Sequence, residues 1–304
     1  MSNIKSRVML AMLNISVWDA HVHDSKATSE VEKNHSTSDI GRFNKRLLPK
    51  KAASFEAVME LARTARETFY RYTLKYGQDG VRLLPAEAYM ELAQEIRGLK
   101  VEFPRRVEAF LEDLPNLKAV QKAALNGLYR EDDYPTVDVL RTKFDLRFKV
   151  LPFPDAEQFG VTLPEADLIE IRKSIDEHTA EAAQIATRDL WNRMYEAVSR
   201  MTVQLSKPSG RIHDSLVENV REIVELLPSL NFTGDSKLAE LCEQAAAKLA
   251  SQDAEELRQS MGTRMTVAQQ AADIQAQMAA YMGIELPENF GQIGSAAAPE
   301  GALL

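Results

Sequence analysis

A single cysteine, Cys242, in a chain of 304 residues excludes an internal disulfide. Its helical, alanine-rich surroundings, with Leu241 and Ala245 close by, suit a small buried apolar side chain rather than a nucleophile. A reducing cytoplasm fits that usage. Long apolar runs are also missing: stretches such as Val8 to Leu13 fall far short of the ~20 residues a membrane span needs. Lys5 and Arg7 ahead of that run imitate a signal peptide, but Asn14, Ser16 and Asp19 interrupt it and no small-x-small cleavage site follows, so secretion is not expected. The familiar catalytic signatures are absent too. There is no HExxH, no ExxH pair for a carboxylate-bridged dimetal bundle, no GxxxxGK[ST] phosphate loop, no GxGxxG and no GxSxG elbow. No cofactor is implied.

What the chain does have is charge and helical periodicity. With 45% hydrophobic and 27% charged residues it can bury one large core or two modest ones. The net charge of -8 is unevenly spread. Residues 40 to 150 carry 21 Lys/Arg against 16 Asp/Glu, and residues 151 to 304 carry 12 against 24. Such a split can guide head-to-tail association or orient an anionic partner toward the basic half.

Leu13, Ile15 and Val17 alternate with polar residues, the period of a half-buried strand, and Leu146, Phe148 and Val150 do the same until Pro152 and Pro154. Two strands this far apart in sequence pair most simply with each other. Residues 24 to 40 read as a loop or a short exposed helix. Ser54 is positioned to cap a helix through Phe55, Met59, Ala62, Phe69, Tyr72 and Tyr76, ending at Gly77. Pro85 would open a second helix through Leu92 and Ile96 that Pro104 ends or kinks. Another helix is expected from about Pro115 to Leu128, and a short one in the YPTVDVLRTKF segment. Arg-Leu-Leu-Pro occurs at both 46 to 49 and 82 to 85, but the flanks do not repeat.

Thr162, Pro164 and Glu165 form a capping box, and no helix breaker follows until about Leu205, giving a helix of roughly 60 Å at ~1.5 Å per residue. Its stripe runs Leu168, Ile171, Ile175, His178, Ala182, Ile185, then slips in phase and resumes as Leu190, Met194, Val198, Met201, Leu205. A slip of that kind changes the local winding of a coiled coil. Pro208, Ser209 and Gly210 break the helix, and Ile212 to Leu227 begins an antiparallel return. Asp235 and Thr266 are expected to start two last helices rich in Ala, Gln and Met, and the tail beyond Pro287 is expected to be disordered.

Two residue clusters could carry chemistry. Asp19, His21, His23 and Asp24 resemble the first metal-binding strand of amidohydrolases, where alternate histidines share a cation. The further ligands and the alternating strands and helices of such a barrel are missing, so a solvent-exposed strand end is the preferred reading and a metal-dependent hydrolase the weakest alternative. His178 in the helical seam reads as a buried or register-setting polar residue. The second cluster is Arg63, Arg66, Tyr70, Arg71 and Lys75, with Lys45, Arg46, Lys50, Lys51 and Arg82 near in sequence. It could contact phosphates and stack one base, although Glu60 and Glu67 dilute it. That defines a second alternative, a DNA-binding accessory factor in replication or recombination.

Several longer strings, taken in order, carry a family resemblance: LNISVWDA, GRFNKRLLP, ARETFYRYTLKYGQDGVRLLP, EFPRRVEAFL, DYPTVDVLRTKFDLRF, and LPFPDAEQFGV followed by the long helix with DLWNRM. Together they span roughly residues 8 to 205 and resemble the bacteriophage and mobile-element family catalogued as domain of unknown function 3150. The resemblance brings no established activity and no catalytic residues, and it implies that the positions of His21 and His23 vary and are often basic. It also implies a bacterial host cell, and genes for a MoxR-type AAA+ ATPase, a von Willebrand factor A-like protein or recombination functions nearby, which is an association rather than a mechanism.

The expected fold is mainly α: a long antiparallel helical hairpin or bundle, with a small two-stranded β element in the N-terminal half. The expected segments are a mixed domain over 1–160, the hairpin over 161–230, a C-terminal helical segment over 231–286 and a tail over 287–304. The expected function is non-enzymatic: self-assembly into a homo-oligomer, or an adaptor or substrate role for an AAA+ ATPase system, in the cytoplasm and away from membranes.

Overall fold

The computed structural model describes residues 2–77, 79–207 and 210–286. In chain order it holds α1 (Ser2–Lys5), β1 (Val8–Ser16), β2 (His21–His23), α2 (Ser25–Asn34), β3 (Asn44–Arg46), α3 (Ala53–Tyr72), β4 (Leu74–Lys75), β5 (Arg82–Pro85) and α4 (Tyr89–Leu125). After two short 3-10 turns come α5 (Val137–Arg141), β6 (Asp145–Pro152), α6 (Glu165–Leu205), α7 (Ser215–Leu230), α8 (Ser236–Ala245), a π-helical turn at Ala246–Ala250, α9 (Ala254–Gln259) and α10 (Met261–Met282). The protein is mainly α, with a long helical hairpin and a small β component, as the periodicity implies. Among the described residues no helix is long and apolar enough to cross a membrane.

The chain forms two compact units that interleave along the sequence, whereas the sequence reading divides it consecutively at residues 160 and 230. The first, the hairpin unit, takes Met1–Ala11, Tyr72–Met90 and Val150–Leu304; the second, the ribbon unit, takes Met12–Arg71 and Glu91–Lys149. The hairpin unit holds 16 Lys/Arg against 26 Asp/Glu, a net charge of -10, and the ribbon unit 21 against 19, a net of +2. The charge split of the sequence therefore follows the compact units.

The core of the ribbon unit packs aliphatic side chains around a few aromatic rings. Phe110 of α4 is fully buried, with its ring 5.1 Å from Phe55, 5.8 Å from Phe144 and 6.2 Å from Trp18. Val58, Ala62 and Ala65 of α3 pack into the same cluster as Phe103, Val107 and Leu114 of α4. Helix α4 runs unbroken through Pro104 and Pro115, which corrects the expectation that these prolines divide it. They lie eleven residues apart, about three turns, so both fall on the same, exposed face, and their rings project away from the core. The α3 boundary also differs from expectation. The helix stops at Tyr72, and Ser54 lies inside it and donates to Asp113 Oδ2 at 2.7 Å instead of capping.

The early strand and the one before Pro152 are neighbours, as expected, but within a four-stranded sheet of order β4-β5-β1-β6, while β2 and β3 form a separate two-stranded ribbon. Two strands of the larger sheet leave no clear mark in the sequence. Arg82–Pro85, which ends in the proline expected to open a helix, is β5 and pairs antiparallel with β1 in the register Val8↔Pro85 to Ala11↔Arg82, and with β4 through Leu74↔Leu83. The first strand also starts five residues before Leu13, taking up the apolar run that imitates a signal peptide.

In the hairpin unit α6 packs against α7 and, over a greater length, against α10. The contacts fix α10 antiparallel to α6: Arg264 meets Leu205, Gln275 meets Tyr195 and Tyr281 meets Trp191. Leu190, Met194, Val198, Met201 and Leu205 are buried, as the stripe requires. Upstream, the buried line passes through Thr179, Ala182 and Ala186 at spacings of three and four, so small side chains carry it and the phase slip read from Ile185 disappears. His178 lies exposed, edge-on to Tyr76 with ring centroids 5.3 Å apart, rather than in a seam.

Of the four expected caps, at Ser54, Thr162, Asp235 and Thr266, only the one at Asp235 forms. Asp235 caps α8, accepting from the Lys237 and Leu238 amides at 3.0 and 3.1 Å. Helix α10 is instead capped by Ser260 and begins at Met261, five residues before Thr266, which lies within it and donates to the Gly262 carbonyl oxygen. The capping box at Thr162 does not form either: Pro164 occupies the cap position of α6, and its ring offers no acceptor for the helix start. The break expected at Pro208 and Ser209 and the tail from Pro287 lie outside the described residues.

Candidate functional site

His21 and His23 sit on β2, paired with β3 through His21↔Arg46 and His23↔Asn44, and both are exposed. One ring nitrogen of each has a local partner. His21 Nδ1 donates to the Asp19 carbonyl oxygen at 2.6 Å. His23 Nε2 lies 3.1 Å from Thr28 Oγ1, whose own proton is used on the Asp24 carbonyl oxygen at 2.9 Å, so Nε2 is the donor and has no lone pair to offer a cation.

Asp24 is turned away from both histidines. It is buried, accepts from the Ala27 amide at the start of α2, and binds Lys45 Nζ at 2.8 Å. The same ammonium lies 2.6 Å from Asp133 and donates to the Leu128 carbonyl oxygen at 2.9 Å. Burial pulls Lys45 down, but the two carboxylates outweigh it and hold the group above its ordinary value. The Lys45 hydrogen bond, helped by the Ala27 amide, holds Asp24 below the usual carboxylate range. The four residues of the metal reading are thus not brought together. Among the described residues no group of three or more His, Cys, Asp or Glu is placed to hold a metal.

The basic cluster is divided as well. Arg63 pairs with Glu60 and lies 3.9 Å from Glu67, and Arg71 meets both oxygens of Glu95 at 2.7 and 2.9 Å. Arg66 donates to the Ala62 carbonyl oxygen on its own helix, and Tyr70 is exposed beside Phe69. With three Glu and three Arg, α3 carries no net charge. Lys75 is not on this helix: it lies on β4, in the hairpin unit, 3.8 Å from Asp189. Lys45, counted with the cluster in sequence, is the buried ammonium of the ribbon unit.

The hairpin unit presents a different kind of surface. The first fourteen residues of α6, from Glu165 to His178, contain no buried side chain, yet include Leu168, Ile169, Ile171 and Ile175. Ile169 is 61% exposed, and Val161 and Leu163 just before the helix are exposed too. Five carboxylates and two basic side chains, Arg172 and Lys173, share this stretch. Where it ends, a groove of about 660 Å³ follows α6 past Thr179, Ala183, Thr187 and Trp191.

Polar groups in the groove wall are well partnered. The Trp191 ring stacks on Tyr281 at 4.6 Å, and its Nε1 donates to Asp235 Oδ2 at 3.0 Å, the residue that also caps α8. At the other end Lys5 binds Asp155 at 2.7 Å and Asp176 at 3.5 Å. The Asp155 hydrogen bond raises Lys5 above its ordinary range, and Asp155 is held low in return. Apolar walls with fixed polar rims have the makings of a docking surface.

Comparison of the chain with protein-family models, with curated proteins and with solved structures finds no match.

The groove and the Lys45 centre escape sequence reasoning because each assembles residues far apart in the chain. For Lys45 one signal exists: in Asn44-Lys45-Arg46-Leu47 the alternation that buries Leu47 also turns Lys45 inward. For the groove there is none beyond the small residues Ala180, Ala183 and Thr187 at helical spacing.

Proposed function

We propose that this chain is a non-enzymatic phage or mobile-element protein that works by docking onto another protein through the exposed N-terminal part of α6. The observation that carries the reading is the fourteen-residue stretch from Glu165 to His178, which has no buried side chain and yet carries four large aliphatic residues. Isolated exposed apolar residues need no explanation, but Val161, Leu163 and Ile169 are clustered in sequence, and clustering of this kind marks interaction sites. The stretch is acidic, within a unit of net charge -10, so the fitting partner has an apolar face rimmed by basic side chains.

The resemblance to domain of unknown function 3150 supplies a setting for this reading: the cytoplasm of a bacterial host, with an AAA+ ATPase or a von Willebrand factor A-like protein as partner, or a second copy of this chain. The DNA-accessory reading draws no comparable support, because the arginines of α3 are matched by its glutamates and Lys75 lies in the other unit.

The test is a photo-crosslinking amino acid at Ile169 of the full chain in the host cell, with adducts identified by mass spectrometry. A discrete protein adduct that is lost when Ile171 and Ile175 are changed to Asp is the expected result. Adducts to nucleic acid alone, or none at all, would overturn the reading.

A further inference from the structure

A second cleft, of about 420 Å³, lies between the last turns of α6 and the start of α7. None of the ten residues lining it is Asp or Glu, although its unit carries a net charge of -10. Arg200, Arg211 and His213 contribute positive or protonatable groups, Ser215 and Asn219 neutral hydrogen-bonding groups, and Val203 and Leu216 apolar surface.

Two hydrogen bonds fix the backbone that carries Arg211 and His213. Gln204 Nε2 donates to the Arg211 carbonyl oxygen at 2.7 Å, and Arg258 Nε donates to the Ile212 carbonyl oxygen at 2.9 Å. Ile212 is buried between them, which leaves Arg211 and His213 exposed on either side of it. The nearby carboxylates are engaged elsewhere: Asp214 pairs with Arg258 and Glu218 with Arg221. Arg200 meets Glu196 at 3.2 Å with both side chains largely exposed, a pairing of little strength. Among the described residues no carboxylate pairs with Arg211. Asp214, at the cap position of α7, is turned to Arg258 and makes no side-chain cap on the helix.

We propose that this cleft binds a phosphate-bearing small molecule, with Arg200 and Arg211 gripping the phosphate and Val203 and Leu216 receiving the organic part. Guanidinium groups match phosphate oxygens in paired, charge-assisted hydrogen bonds. The volume is in the range of small-ligand sites, about 300–1,000 Å³, and exceeds what a bare phosphate needs. This inference is independent of the docking reading, which concerns the opposite end of α6.

The test is calorimetric titration of the full chain with AMP, inorganic phosphate and adenosine at about 0.15 M ionic strength, where exposed charges are screened beyond about 8 Å. Saturable binding of AMP but not of adenosine is expected. Arg211→Ala should weaken AMP roughly tenfold or more, the usual cost of a hydrogen bond to a charged group, and the Arg200→Ala/Arg211→Ala pair should abolish it. Arg188→Ala, which removes an exposed cation from the other groove, should leave it unchanged. Arg200 and Arg211 are both exposed, and an unchanged thermal midpoint will verify that the variants fold. The proposal is overturned by absence of saturable AMP binding, by wild-type affinity in the double variant, or by a single-stranded oligonucleotide that binds more tightly than AMP through the same arginines.

Discussion

Replacing Arg264 by methionine should destabilise the hairpin unit strongly. Arg264 is only 7% exposed, at the start of α10. Its Nε donates to the Leu205 carbonyl oxygen at 2.9 Å, and its Nη2 donates to the carbonyl oxygens of Gln204, at 3.4 Å, and Lys207. The last four carbonyls of a helix have no partner within it, and a cation there also opposes the helix dipole. Arg264 therefore caps α6 from another helix. Each well-formed bond of this charged kind is worth about 1.5–3 kcal/mol, and methionine fills similar volume while avoiding the cost of burying a charge, so we expect a net loss of about 3–4 kcal/mol. The two tryptophans allow the unit to be read alone, because Trp191 belongs to the hairpin unit and Trp18 to the ribbon unit. In a Trp18→Phe background, urea unfolding followed by Trp191 fluorescence should shift its midpoint down by about 1.5–2 M, taking a slope of about 2 kcal/mol/M. Arg264→Lys keeps the charge without the fork and should fall between the two. A midpoint within about 0.3 M of the parent for Arg264→Met would refute the capping role, since that corresponds to less than a single hydrogen bond.

Lys45→Met in a Trp191→Phe background should cost the ribbon unit about 3–5 kcal/mol, read through Trp18, because it strands two carboxylates that the ammonium holds. The same centre sets a pH dependence. Asp24 is held below its unfolded value, so its contribution is present above about pH 4 and is lost as pH falls through the lower folded value. Lys45 is held above its unfolded value, so its contribution is complete below about pH 10 and is lost as pH rises through the folded value. Stability that did not decline on the acid side, or that declined equally in Lys45→Met, would contradict this. His21→Ala/His23→Ala should change stability by less than about 0.5 kcal/mol, whereas Asp24→Asn, which weakens both a cap and a buried ion pair, should cost about 2 kcal/mol or more. Stoichiometric zinc that is lost in the histidine double variant would revive the metal reading. Arg63→Ala/Arg66→Ala/Arg71→Ala should leave the retention of a labelled oligonucleotide unaltered at low salt, and a flattened salt dependence would instead assign α3 to phosphate.

How much of the fold is legible depends on whether its determinants are local. The second half of α6 can be read because Leu190, Met194, Val198, Met201 and Leu205 recur at helical spacing and are buried. The short helix after Thr136 and the strand before Pro152 are legible for similar reasons, a capping side chain and an alternation of two. The same reasoning fails for α4. A proline's local penalty is fixed by sequence, but whether it ends a helix depends on packing elsewhere, and here Phe103, Val107, Phe110, Leu111 and Leu114 hold α4 in the core through both prolines, which face outward. Strand β5 is hidden because four residues cannot show a period, and its identity comes from β1, more than seventy residues away.

The candidate sites are less legible, for a physical reason. An apolar stripe in sequence looks the same whether or not another element covers it, so Leu168, Ile171 and Ile175 read like Leu190 and Met194 although only the latter pair is buried. Exposure is a property of packing, and it is exposure that turns an ordinary helix face into a docking surface. Charges show the converse. Arg63, Arg71 and Arg211 are equivalent as letters, but the first two meet Glu60 and Glu95 while the carboxylates near Arg211 are engaged by Arg258 and Arg221. A cation is best available for binding where the fold leaves it without a carboxylate, as at Arg211, or with only a weak exposed pairing, as at Arg200. Two of the pairings that decide this, Arg71 with Glu95 and Arg258 with Asp214, join residues 24 and 44 positions apart, beyond the reach of any local pattern. Reading function from this chain therefore means asking, for every conspicuous residue, what the rest of the fold has already attached to it.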